Sequence, residues 1–91
     1  MKIRYDPIAD GICIYFGGKR KASRTQEVPR QDSLCLVDYD KEGNPIGIEV
    51  LGTKTGIDVT GLPREEEVAE LLRAHGFQAL ARSRKFYYKE M

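Results

Sequence analysis

The sequence predicts an α+β domain: an antiparallel β-meander of about five strands, then one amphipathic α-helix and a short C-terminal segment. Three observations predict it. Apolar and polar residues alternate at period two near residues 2–16 and 46–51, the pattern of half-buried strands. Asp, Gly and Pro punctuate these runs at short intervals, as tight turns require. From residue 63 the apolar spacing becomes i, i+3, i+4, the stripe of a helix face.

The first strand is expected over Lys2-Ile3-Arg4-Tyr5-Asp6, closed by a turn from Asp6-Pro7 to Asp10-Gly11. The second runs over residues 12–16 and ends at Gly17-Gly18, leading into a basic hairpin tip with Lys19, Arg20, Lys21 and Arg24. Thr25 to Val28 is polar enough for an edge strand, and Pro29 stops it by removing a backbone donor. Leu34 to Tyr39 is nearly continuously apolar, which places it centrally. Asp40-Lys41-Glu42-Gly43 has the chemistry of a type I turn, and Ile46 to Leu51 returns as the fifth strand.

Pro63 suits a first helical position, and Glu65, Glu66 and Glu67 complement the positive end of the helix dipole. Val68, Leu71, Leu72 and His75 form the apolar stripe, and Gly76 is placed to end the helix in a left-handed cap. The last segment mixes cations with Phe86, Tyr87 and Tyr88, and a strand, a helical turn or an ordered tail all fit it.

Ninety-one residues, 41% hydrophobic and 32% charged, fit a single domain over 1–91. Its expected parts are a meander (1–52), a connecting loop (53–62), a helix (63–76) and a basic-aromatic tail (77–91). A formal net charge of +1 selects neither nucleic acid nor an anionic membrane. No apolar stretch approaches the roughly 20 residues that span a bilayer. The N-terminus alternates charge and bulk, so no secretory leader is expected. Cys13 and Cys35 form no CxxC, and a single histidine excludes zinc-finger spacing, so free thiols in a reducing cytoplasm are expected. No cofactor is expected.

One stretch of the chain resembles a known family. Lys2-Ile3-Arg4-Tyr5-Asp6-Pro7 with Ala9-Asp10, Glu27-Val28, Val37-Asp38-Tyr39-Asp40 with Gly43, and Gly47-Ile48-Glu49-Val50-Leu51 resemble the domain-of-unknown-function 2283 family. The resemblance spans about residues 2 to 51. It implies a small prokaryotic β-rich protein with no established activity, and through neighbouring toxin-like genes it implies an antitoxin or partner-binding role. Gly11-Ile12-Cys13 departs from the family's more usual Ala-Leu-Tyr-like start of the second strand, and the helix and tail extend beyond the matched region.

Several residue sets invite a sharper reading. Asp38, Asp40, Glu42, Gly43 and Glu49 fall at positions 1, 3, 5, 6 and 12 of an EF-hand loop. That loop joins two helices, whereas these residues sit between strands, so hairpin-turn chemistry is the expected reading. His75 lacks a recognisable orienting carboxylate, Cys13 and Cys35 sit mid-strand, and Asp6 and Asp10 flank a proline turn that accounts for both. No catalytic, cofactor-binding or metal-binding residue is assigned.

A size argument leads to the function. Five strands span roughly 19 Å, and one helix about 10 Å wide shelters only some of them. Alternation within each strand places Ile3, Tyr5, Ile12, Ile14, Phe16, Leu34, Leu36, Ile46, Ile48 and Val50 on one face. Cys13, Tyr15, Cys35, Val37, Tyr39 and Leu51 fall on the other. Apolar area left open on either face favours a non-enzymatic interaction module that forms a homodimer, with an antitoxin-like role as its most specific version. Two alternatives remain. One is weak nucleic-acid binding through Lys19, Arg20, Lys21, Arg24, Arg82, Arg84 and Lys85. The other is a small-molecule enzyme with Asp38, Asp40 and Glu49 at a subunit seam.

Overall fold

The computed structural model describes residues 1–18, 21–31 and 33–81. Five strands form one antiparallel sheet: β1 (Lys2–Asp6), β2 (Gly11–Tyr15), β3 (Arg24–Val28), β4 (Leu34–Tyr39) and β5 (Pro45–Leu51). Three elements follow: β6 (Ile57–Asp58), α1 (Glu65–Ala74) and β7 (Ala79–Leu80). The antiparallel sheet, single helix and C-terminal segment expected from the sequence are all present. The chain divides into two compact units, Met1–Thr55 and Gly56–Met91.

In the first unit the sheet order is β1-β2-β5-β4-β3. β1 and β2 form one hairpin, β3, β4 and β5 pair successively, and β5 closes the sheet against β2. The polar β3 lies at an edge and the apolar β4 inside, as their compositions predict. The basic segment after β2 is not a hairpin tip. β2 and β3 do not pair: β3 lies three strand positions from β2, about 14 Å away, at the far edge. Gly17 and Gly18 start the connection between them with φ of 110° and 85°, a left-handed backbone that costs glycine little. Ser23 N–H ends it on the Tyr39 carbonyl at 2.8 Å.

The register corrects the expected division of faces. Cys35 pairs with Val50 and Val37 with Ile48, while Leu34 pairs with Leu51 and Leu36 with Glu49. Cys35 and Val37 therefore join Ile12, Ile14, Ile48 and Val50 on one face, where each is at most 2% exposed. Leu34 and Leu36 belong to the opposite face. β4 is apolar at nearly every position, so its own pattern carries no parity, and only pairing decides which alternate set turns inward. A bulge marks the start of β5: Asp38 pairs with Gly47 and Tyr39 with Pro45, leaving Ile46 unmatched. Pro45 occupies the first position of its strand, where a missing donor is tolerated.

Two aspartates build the turns. Asp40, 5% exposed, accepts the Glu42 and Asn44 backbone N–H groups on Oδ1 at 3.0 and 2.9 Å. Its backbone carbonyl takes the Gly43 N–H at 3.0 Å, which closes the expected tight turn. Asp6 Oδ1 accepts the N–H groups of Ile8 and Ala9 at 3.0 and 3.3 Å.

The second unit is a small β6-α1-β7 crossover in which Ile57 pairs with Ala79 and Asp58 with Leu80 in parallel. The segment expected as a connecting loop thus carries a short strand, and the segment after the helix begins with its partner. Ile57, Val59, Leu62, Val68, Ala69, Leu72 and Ala79 are buried. The helix is shorter than expected: Pro63 precedes it, and Arg64 is the N-cap in a left-handed conformation, φ 53°, with no side-chain cap. Glu65 instead reaches back to the Gly61 N–H at 2.8 Å, and Glu67 pairs with Arg64. At the other end Gly76, φ 86°, and Phe77 close the helix as expected, donating to the Arg73 and Leu72 carbonyls at 3.0 Å each. His75 is not on the buried stripe. It is the C-cap, and its exposed ring contacts the Leu71 carbonyl at 2.9 Å.

Candidate functional site

The face of the first unit opposite the buried one is built of three cross-strand rows, read directly from the register. The first runs Lys2, Tyr15, Gly47, Asp38, Thr25. The second runs Arg4, Cys13, Glu49, Leu36, Glu27, and the third Asp6, Gly11, Leu51, Leu34. Tyr15 is 46% and Leu34 36% exposed, while Cys13, Leu36 and Leu51 are half-buried. A sheet face that carries Tyr, Leu and Cys between charges is neither a core nor an ordinary solvated surface.

Two hollows lie on this face, beside Gly11 and Gly47. One, about 200 Å³, is lined by Arg4, Asp6, Ala9, Gly11, Cys13, Glu49 and Leu51. The other, about 240 Å³, is lined by Tyr15, Gly17, Gly18, Ala22, Asp38, Ile46 and Gly47. Neither glycine leaves room for a side chain: a Cβ at Gly11 would stand 2.8 Å from Leu51 Cδ2, and one at Gly47 3.0 Å from the Ile14 carbonyl. The sequence offered one signal for both hollows, since a lone glycine inside a strand pattern marks a bulge or a close approach.

Charge on the open face is graded across the strands. Lys2 and Arg4 stand on β1, whereas Glu49, Asp38 and Glu27 stand on β5, β4 and β3. Asp6 shares β1, but its carboxylate is engaged by the turn N–H groups. Asp38 accepts the Thr25 hydroxyl at 2.5 Å, and the Cys13 thiol lies 4.0 Å from Glu49 Oε2.

At one corner of the sheet Asp10 ties the β1–β2 turn to the end of β5. Its φ of 51° is left-handed, and its carboxylate accepts the Thr53 N–H at 2.8 Å, the Thr53 hydroxyl, and the Tyr5 hydroxyl at 3.4 Å. The Thr53 side-chain hydrogen bond, then its backbone N–H, holds the Asp10 carboxyl below the usual carboxylate range; desolvation opposes this. Nothing in the sequence linked Asp10 to Thr53, 43 residues apart.

The predicted site residues scatter. Arg24 lies over the Tyr39 ring, 4.4 Å from its centroid, a cation–π contact. Lys21 borders an open depression of about 760 Å³ with Ala22, Ser23, Asp40, Lys41, Glu42 and Asn44. Lys19, Arg20, Arg82, Arg84 and Lys85 lie outside the described residues. The acidic run does not converge: Asp38 meets Thr25, Asp40 holds its own turn, and Glu49 faces Cys13. Among the described residues no group of three or more His, Cys, Asp or Glu side chains is gathered as a metal site. Nor, among them, is any helix long and apolar enough to cross a membrane.

The family model for proteins of unknown function designated DUF2283 matches residues 2–54. The chain belongs to the DUF2283 family. The match coincides with the sheet unit, Met1–Thr55, and the β6-α1-β7 unit lies outside it. No curated protein and no solved structure matches the chain.

Proposed function

We propose that this DUF2283 protein is a non-enzymatic interaction module that self-associates through the open face of its sheet. The supporting observation is the second face itself: exposed Tyr15 and Leu34, with Leu36, Leu51 and Cys13 half-buried between them, on the strands whose other side is the unit's core. Apolar side chains grouped on one face gain free energy when a partner excludes water from them, at about 25 cal/mol per Å². The hollows beside Gly11 and Gly47 hold about 200 and 240 Å³, below the roughly 300 Å³ at which small-molecule sites begin, which favours contact over chemistry. A reducing cytoplasm is the compartment that keeps Cys13 and Cys35 as free thiols.

Size-exclusion chromatography with light scattering across micromolar concentrations tests the reading. A mass that rises with concentration toward twice 10.3 kDa supports it. A constant 10.3 kDa overturns it.

A further inference from the structure

The open face is self-complementary, and this identifies both the partner and the geometry; the inference rests on the self-association proposed above. An isologous dimer requires one patch that fits a rotated copy of itself. For two stacked sheets the choice of two-fold axis decides which residues meet. An axis across the strands sets each strand over its own copy, and the middle row meets itself, so that Arg4, Glu49 and Glu27 each oppose a like charge. An axis along the strands, over the central β5, reverses the strand order instead and sets β1 over the partner's β3 and β2 over the partner's β4. The observed order β1-β2-β5-β4-β3 places β5 in the middle, so this second arrangement also covers the sheet and sets Arg4 on one edge against Glu27 on the other.

We infer that two copies pair face to face about an axis along β5. The three rows then meet in register. Arg4 stands over the partner's Glu27, an attraction made twice by symmetry. Leu34, 36% exposed, stands over the hollow beside the partner's Gly11. Cys13 meets the partner's Leu36, and Tyr15 meets the partner's Asp38. Packed sheets cross at about 30°, a rotation that long Arg and Glu side chains at the rim can follow. One contact opposes the arrangement. Glu49 lies nearest the axis and faces the partner's Glu49, so this central pair lowers affinity.

The magnitude follows from the area. Five strands about 17 Å long, spread over roughly 19 Å, offer a footprint of roughly 300 Å² per copy. Standard interfaces bury about 800 Å² per partner, so this one is small and the dimer weak, with a dissociation constant in the micromolar range.

Sedimentation equilibrium on the full chain and its charge variants tests the pairing, with circular dichroism confirming that each variant folds. Arg4→Glu alone and Glu27→Arg alone each turn two attractions into two repulsions and weaken self-association by about tenfold or more. Mixed one to one, they form a heterodimer, because both rim pairs regain opposite charges. The double variant R4E/E27R regains the homodimer. Glu49→Gln removes the like charges at the axis and tightens it. Failure of the mixture to recover, with the wild type still dimeric, overturns the pairing and leaves self-association through another surface. A wild type that is monomeric throughout overturns both.

Discussion

The two faces of one sheet are made by the same five strands yet are built on opposite terms. On the first, Ile12, Ile14, Ile48 and Val50 are joined by Cys35 and Val37, all at most 2% exposed, and no charge interrupts them. On the second, two rows set glycine, leucine or cysteine between Arg4, Lys2, Glu49, Glu27 or Asp38, and the third runs from Asp6 through Gly11 and Leu51 to Leu34. β-branched residues on the first face fill the pleat and lose little side-chain freedom. On the second, charges stand between the apolar residues, and Tyr15 and Leu34 stay exposed. The difference teaches that only one face is committed to folding. The other keeps its charged side chains in water.

Substitutions on the two faces should separate accordingly. Ile48→Ala empties space in the packed face and is expected to lower unfolding free energy by about 2–5 kcal/mol in urea titrations. An effect below about 1 kcal/mol would mean that this face is not the core. Asp40→Ala strips the acceptor from the Glu42 and Asn44 N–H groups in the turn that aligns β4 with β5. It should cost about 1–3 kcal/mol by the same assay.

Asp10 sharpens the contrast through pH. Its folded pKa lies below its unfolded value, so its contribution is fully present above about pH 4, near the unfolded carboxylate value. That contribution is lost as pH falls through the lower folded value. Asp10→Asn keeps a residue tolerant of the left-handed backbone but removes the titration. The wild-type minus variant stability difference should therefore shrink on acidification, followed by thermal melts from pH 7 to pH 2. A difference constant across that range would show that the carboxylate's charge is irrelevant to the clamp.

The smallest effect on folding belongs to the open face. Leu34→Ser should change stability by no more than about 0.5 kcal/mol, while weakening self-association measurably. A large stability loss without any change in association would move Leu34 into the core and erase the distinction between the faces.

Much of this was legible from residue pattern. Alternation found the strands, Pro29 and the polarity of β3 placed an edge, and Asp40 with Gly43 announced the turn between β4 and β5. Gly76 announced the helix end. Other features were not legible. Pro63 looked like a helix start, yet Arg64 adopts φ 53° and delays the helix to Glu65, because local propensity is weak against the backbone path that the β6-α1-β7 crossover needs. The basic cluster looked like a hairpin tip because sequential strands usually pair, and nothing local records that β5 takes the place beside β2.

The amino-acid sequence by itself determined which segments are strands, where the chain turns and where the single helix stops. These depend on interactions within a few residues: side-chain alternation, the fixed φ of proline, and the left-handed backbone that glycine permits. Only the tertiary structure decided strand order, the parity of β4, the bulge that leaves Ile46 unmatched and the Asp10–Thr53 clamp. Each is a pairing between residues distant in sequence. A one-residue slip in such a pairing exchanges the two faces of a strand, and an apolar run like Leu34 to Val37 carries no mark of which register wins.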